Sequence, residues 1–394
     1  MSRSEHYPYL IVGGGMTADA AARAIREVDA NATVGLISAD PHPPYARPPL
    51  SKGLWKGDSE SSIWRGTEST GADLRLGRRV TAIDAVRKTV TDDRGDTVTY
   101  DKLLLATGGT PRRLPVESEI IYFRTYDDYR RLRALANEPL RFAVVGGGFI
   151  GTEIAAALNL AGRDVVMLVP EEGLGARVFP ADLSRHLVGY YRDHGVEVRT
   201  GERLAGLTAG SGQVVLKTAA NHELSADVIV AGIGILPDVD LAKQAGLQVD
   251  NGIVVDELLR TSVPDIFAAG DVANVFNPAL GTRMRVEHED NAVTMGGAAG
   301  RAMAGHGTPY THQSFFYSDL FSLGYEAVGE LDPRLETFAD WKEPFREGVV
   351  YYLKDGRVRG VLLWNVWGQV DAARELIGAP GRFSPQALKG RLVA

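Results

Sequence analysis

The 394-residue chain is 44% hydrophobic and 24% charged, carries a net charge of −7 and contains no cysteine. Its length asks for about two to three domains, no apolar run is long enough to span a bilayer, and the acidic balance argues against nucleic acid as the main partner. Without thiols there can be no redox-active disulfide, cysteine sulfenate, thiolate zinc site or thiolate-bound iron–sulfur cluster.

In chain order, the short polar start, residues 1–8, leaves no room for a signal peptide, so a cytoplasmic location is expected. An apolar strand at residues 9–12 runs into Gly13-Gly14-Gly15 and then an Ala-rich helix through about Glu27. Gly13, Gly15 and Ala18 follow G-x-G-x-x-G/A spacing. There the first glycine makes a tight turn, the second admits backbone N–H groups to a pyrophosphate, and the third small residue lets helix pack on strand. The phosphates would meet the positive end of the helix dipole. A second strand, residues 33–38, ends before Asp40, near enough in sequence for a ribose hydroxyl. Prolines between 41 and 49 block regular structure and hold an extended turn ahead of Leu50-Ser51-Lys52. The strand at 102–105 runs into Ala106-Thr107-Gly108-Gly109.

A helix at 126–137 opens a second unit that repeats the first. Strand 142–145 leads into Gly146-Gly147-Gly148, with Gly151 third in the spacing, then helix 149–160, Gly162 as its stop, and strand 164–169. One such fingerprint is weak evidence; two, roughly 130 residues apart in matching strand-turn-helix contexts, imply two dinucleotides. The strand at 228–231 ends at Gly232-Ile233-Gly234, and Ile266-Phe267-Ala268-Ala269-Gly270-Asp271 returns to the first domain. From about Tyr310, runs at 324–328, 349–353 and 358–363, an Asp355-Gly356 hairpin signal and a helix at 370–377 predict a small antiparallel sheet with a terminal helix. The fold class expected is α/β, with two Rossmann-like domains and a small α+β C-terminal domain. Its domains are residues 1–113 with 241–309, residues 114–240, and residues 310–394.

Arg47-Pro48-Pro49-Leu50-Ser51-Lys52, Ala106 to Gly109, Gly146 to Glu153 (GGGFIGTE), Ala268 to Asp271, Val286-Glu287-His288 and Phe316-Tyr317-Ser318-Asp319 together cover the chain in order. With them the sequence resembles the glutathione-reductase-like flavoproteins. Within these it is similar to the oxygenase-coupled, NADH-dependent ferredoxin reductases and to apoptosis-inducing factor. The resemblance implies FAD in the first domain and NADH, with NADPH possible, in the second. It puts Gly13, Gly15, Ala18 and Arg47 at the FAD pyrophosphate. Ala106, Thr107, Gly108, Arg112, Gly270 and Asp271 are further FAD contacts, although Asp271 also reads as an ordinary turn aspartate. Lys52 would lie beside flavin N5 and pair with Glu153, the ammonium favouring reduced flavin and the carboxylate offsetting its desolvation. Gly146, Gly148, Ile150 and Gly151 would hold the nicotinamide nucleotide, Phe149 would cover the flavin, and Gly234 would give backbone access. Glu171 would bind the ribose and favour NADH, with Arg177 nearby to soften that preference. Glu287 and His288 stand near the rings. The same run, Glu287 to Asp290, also reads as a solvated charged helix face, and its single histidine argues against a metal site. Tyr317 falls at the family's aromatic position beside the isoalloxazine. Two positions depart from the family pattern: Ala39 stands where its ribose carboxylate falls, with Asp40 one later, and Tyr317 stands where tryptophan is frequent.

The expected function is hydride transfer from NADH to FAD, then single-electron transfer to an iron–sulfur ferredoxin supplying an oxygenase such as a cytochrome P450. Arg130, Arg131 and Arg133 could complement an acidic ferredoxin, though arginine runs are usually solvated surface. The alternatives are a redox-dependent dimerising protein resembling apoptosis-inducing factor, and a diaphorase or NADH oxidase with small acceptors. The protein is expected as monomer or homodimer, with no metal, nucleic-acid or membrane partner.

Overall fold

A computed structural model describes residues 5–116, 118–209 and 213–392. Residues 1–4 of the polar start lie outside them. The chain forms two compact units: Met1–Ala46 with Ser59–Thr110 and Leu236–Ser314, and Arg47–Asp58 with Pro111–Ile235 and Phe315–Ala394.

In the first unit, parallel strands Asp73–Arg75, Val34–Ile37, Glu5–Val12, Thr97–Leu105 and Ile266–Ala268 lie side by side. Two of them are longer than the hydrophobic pattern predicts. Glu5 pairs with Val98 and His6 with Thr99, so ladder bonding carries the first strand back past Tyr9 and the fourth back past Lys102. An antiparallel hairpin, Val80–Asp84 and Thr89–Asp92, extends the sheet from Thr97–Leu105. Its alternating polar residues hide it from a search for apolar runs. Leu10, Ile11, Leu36, Leu103, Leu104 and Ile25 fill the core. Helices Met16–Val28 and Glu289–Met303 cross in near backbone contact: a Cβ on Gly296 would stand 2.4 Å from the Thr17 oxygen, and one on Gly300 2.4 Å from that of Ala21.

The second unit repeats the plan with strands ordered Glu197–Thr200, Asp164–Val169, Arg141–Val145, Val228–Ala231 and Ile120–Tyr122, all parallel. Helix Phe149–Leu160 starts and stops where the spacing predicts, and helix Tyr126–Leu135 opens on a capping box between Thr125 and Asp128. A three-stranded antiparallel sheet, Leu204–Ala209, Val214–Thr218 and Glu223–Ala226, adds to what the apolar runs predict. The C-terminal sheet has five strands, not three: Phe315–Leu320, Leu323–Gly329, Arg357–Trp364, Glu347–Lys354 and Glu336–Glu343. Asp355 and Gly356, at φ 53° and 75°, make its two-residue turn. Helix Val370–Gly378 packs on this sheet. The proline-rich approach to Lys52 is not wholly extended. Pro48–Ser51 forms a 3-10 turn, because proline's fixed φ suits the first positions of a helix. Among the described residues, no helix is long and apolar enough to cross a membrane.

Candidate functional site

Each unit carries a glycine turn of the same construction. In the first, Gly13 has φ 128°, and a Cβ on it would lie 2.1 Å from the Ala106 oxygen, so the turn itself requires glycine there. Gly15 differs. As N-cap of Met16–Val28 it has φ −94° and ψ −171°, which any residue adopts, and nothing lies within 4 Å of where its Cβ would be. In the second unit Gly146 has φ 111° with a would-be Cβ 2.4 Å from the Gly232 oxygen. Gly151 would put its Cβ 2.1 Å from the Gly146 oxygen, whereas Gly148, N-cap of Phe149–Leu160, again faces open space. The protein's own packing therefore demands Gly13, Gly146 and Gly151, but not Gly15 or Gly148. Open space at two uncapped helix N-termini, with donor N–H groups and the positive dipole end, fits a pyrophosphate.

Around the first turn, Ala18 is buried and its N–H bonds the Gly15 carbonyl at 3.0 Å. The Thr107 hydroxyl donates to the Asp238 carbonyl at 2.7 Å, and Asp238 N–H to the Gly108 carbonyl at 3.0 Å. Burial raises the Asp238 carboxyl above its usual range. Asp40 makes a local turn, accepting from His42 N–H at 3.0 Å and the Tyr45 hydroxyl at 2.9 Å. Strand Ile266–Ala268 delivers Gly270, whose Cβ would meet Thr17 Oγ1 at 2.3 Å, and Asp271 follows in a one-turn 3-10 helix. Glu287 pairs with Arg285 at 2.6 Å, and His288 is the N-cap residue of Glu289–Met303.

In the second unit, three side chains from two segments converge on Glu153, which is 3% exposed. Lys52 Nζ donates to Oε1 at 2.7 Å, Ser51 Oγ to Oε2 at 2.6 Å and Ser318 Oγ to Oε1 at 2.5 Å. The lysine is 13% exposed, so opposite charge offsets the burial of each partner. Its ammonium also lies 5.2 Å from the Tyr317 ring centre. Burial, and secondly the charge of Glu153, push the phenols of Tyr191 and Tyr325 well up, keeping them neutral. Phe149 packs its ring 5.2 Å from Phe316, and Ile150 is exposed. Glu171 is 3.0 Å from Arg177 Nη2. Gly234, at φ 88°, accepts from Arg112 N–H at 2.9 Å. Arg47 is the N-cap residue of Pro48–Ser51. Ser51 and Ser318 stand within the quoted strings, but the sequence assigns them no role; a neutral hydroxyl gives no signal until the fold brings it to its partner.

The family description "Pyridine nucleotide-disulphide oxidoreductase" matches residues 7–296, and "Apoptosis-inducing factor, mitochondrion-associated, C-term" matches 299–344 and 338–379. The ferredoxin–NAD(+) reductase component of an anthranilate 1,2-dioxygenase system from Burkholderia cepacia is 36% identical over 97% of this chain and 96% of its own. Mitochondrial apoptosis-inducing factor 1 of Dictyostelium discoideum is 33% identical over 95% of this chain and 78% of its own. Among solved structures, the covalent putidaredoxin reductase–putidaredoxin complex aligns with TM-score 0.89 and 30% identity over 96% of this chain and 94% of that one. The chain therefore belongs to the pyridine nucleotide-disulphide oxidoreductase family and is an FAD-dependent NAD(P)H oxidoreductase.

Proposed function

We propose that the protein is an NADH-dependent reductase that passes electrons from FAD to an iron–sulfur ferredoxin serving an oxygenase, such as a cytochrome P450. The observation that carries this reading is the doubled open N-cap at Gly15 and Gly148 in a chain without cysteine: two dinucleotides are accommodated and no thiol relay follows them. In this reading residues 1–113 and 241–309 hold FAD, residues 114–240 the nicotinamide nucleotide, and residues 310–394 form a C-terminal α+β interface domain. The full-length likeness to a ferredoxin–NAD(+) reductase supports the choice of acceptor.

Bound FAD supplies a carrier that accepts two electrons together and releases them singly. Gly13, Gly15, Ala18, Arg47 and Asp271 hold it, with Thr107, Gly108 and Arg112. The Lys52 ammonium provides positive charge that favours an electron-rich reduced ring, and Glu153 with its two serine donors fixes where that charge sits. Gly146, Gly148 and Gly151 seat the nicotinamide nucleotide. Glu171 accepts from ribose hydroxyls and repels a 2′-phosphate, which selects NADH, and its Arg177 partner tempers that selection. Phe149, packed on Phe316, would help to cover the flavin.

Stopped-flow reduction by NADH and NADPH separately, followed by ferredoxin-dependent cytochrome c reduction, tests the proposal. Faster reduction by NADH and turnover that requires added ferredoxin are expected; protein that neither retains nor rebinds flavin overturns it. A second reading, a redox-dependent dimerising protein, draws on the C-terminal match to apoptosis-inducing factor. It predicts NADH-driven dimerisation and slow reoxidation with little turnover.

A further inference from the structure

We infer that Arg285 is a positioning residue for the flavin site, acting through the turn that presents Asp271; this rests on the reading above that Asp271 serves FAD. The Arg285 side chain is 10% exposed. Its Nη1 donates to the Asp271 carbonyl at 3.0 Å and stands 2.6 Å from Glu287 Oε1, while Nε reaches Asn251 Oδ1 at 3.4 Å. The room for it comes from Gly252, at φ 123°, where a Cβ would lie 2.8 Å from Arg285 Cδ and 2.6 Å from the Val272 oxygen.

Holding a carbonyl fixes its peptide plane, here the one joining Asp271 to Val272, and so the backbone from which the Asp271 carboxylate projects. Gly270, one residue earlier, is packed on Thr17 and donates its N–H to Met295 Sδ at 3.3 Å. The turn is thus held at two consecutive residues, once by the helix that starts at the glycine turn and once by Arg285. A buried guanidinium needs a counter-charge, and Glu287 provides it. This gives Glu287 a task other than direct contact with the rings. Lysine would keep the charge but not the planar fork that meets a carbonyl, a carboxylate and an amide oxygen together.

The test is FAD affinity, read from flavin fluorescence on titrating apoprotein, for wild type, R285Q, R285K, D271N and R285Q/D271N. Thermal melts of each apoprotein run alongside. R285Q and D271N are each expected to weaken FAD about tenfold, as loss of one charge-assisted hydrogen bond does. Because both act through one turn, the double variant should be close to the weaker single variant instead of about a hundredfold down. R285K should fall between wild type and R285Q. A purely structural arginine would lower the apoprotein melting temperature and multiply with D271N, and that result, or unchanged FAD affinity in R285Q, overturns the inference. If D271N itself leaves FAD affinity unchanged, the reading of Asp271 fails first and takes the inference with it. Should R285Q not fold, R285K/D271N completes the same cycle, with coupling in favour and multiplication against.

Discussion

Glu153 gathers an ammonium and two hydroxyls onto one buried carboxylate, and the way it does so separates charge from geometry. Glu153→Gln keeps the shape but removes the counter-charge of Lys52 and turns an amide N–H₂ toward one of three donors. Flavin reduction by NADH in E153Q should slow by about tenfold or more, because the buried ammonium is left uncompensated. Stopped-flow bleaching of the flavin measures this, and an unchanged flavin-to-protein ratio would confine the effect to the chemistry. Ser318→Ala removes one of two donors to Oε1 and no charge, so a loss of only about threefold is expected. Lys52 was legible in the sequence because a charged residue stood within a telling string. Ser51 and Ser318 stand in such strings too, but a neutral hydroxyl carries no signal of the buried carboxylate it serves.

At the scale of elements, the paired glycine turns divide into residues the fold needs and residues it leaves open. Gly13→Ala must clash with the Ala106 carbonyl and adopt a φ that L-residues avoid, so the apoprotein should lose more than about 2 kcal/mol. A Cβ at Gly15 meets no protein atom within 4 Å, so the Gly15→Ala apoprotein should melt within about 2 °C of wild type while retaining less FAD. Thermal melts and the ratio of flavin to protein absorbance separate the two. A second element, the turn into strand Ile266–Ala268, is anchored by Asp265 between Lys102 and Lys88, with Lys88 Nζ at 2.6 Å. Their hydrogen bonds, Lys102 first, lower the Asp265 carboxyl below its usual range. A depressed carboxylate stabilises the fold above its unfolded value and loses that contribution as pH falls through the folded one. Asp265→Asn, which tolerates the same φ of 66°, should therefore cost about 1 kcal/mol or less at neutral pH. Urea melts between pH 7 and 3 should show the gap to wild type closing on the acid side. Helix Phe149–Leu160 and strand Asp164–Val169 were readable because a glycine turn opens the helix, Gly162 follows its end and the strand is an unbroken apolar run after Asp164. The strand Glu336–Glu343 was not, because half-exposed edge strands owe their existence to backbone pairing with a neighbour.

For the whole molecule, the order of elements told of two nucleotide-binding repeats, but composition told little about where an acceptor docks. Were the acceptor the acidic ferredoxin of the proposed function, a net charge of −7 would repel it at long range, and productive encounter would need a local basic surface. Helix Tyr126–Leu135 offers one: Arg130 lies 5.9 Å from the Tyr126 ring, Arg131 pairs with Glu119, and Arg133 lies 5.2 Å from Trp55. Arg130 and Arg131 are exposed and can be changed without disturbing the Trp55 contact. In R130E/R131E the KM for ferredoxin should rise about fivefold at low ionic strength, and the difference from wild type should shrink as salt approaches about 0.5 M. Turnover of NADH with ferricyanide, a small acceptor that needs no docking surface, should be unchanged. A ferredoxin KM that stays at the wild-type value in low salt would assign the docking surface to another part of the molecule, whereas loss of ferricyanide turnover would mean that the substitutions had disturbed the second unit itself.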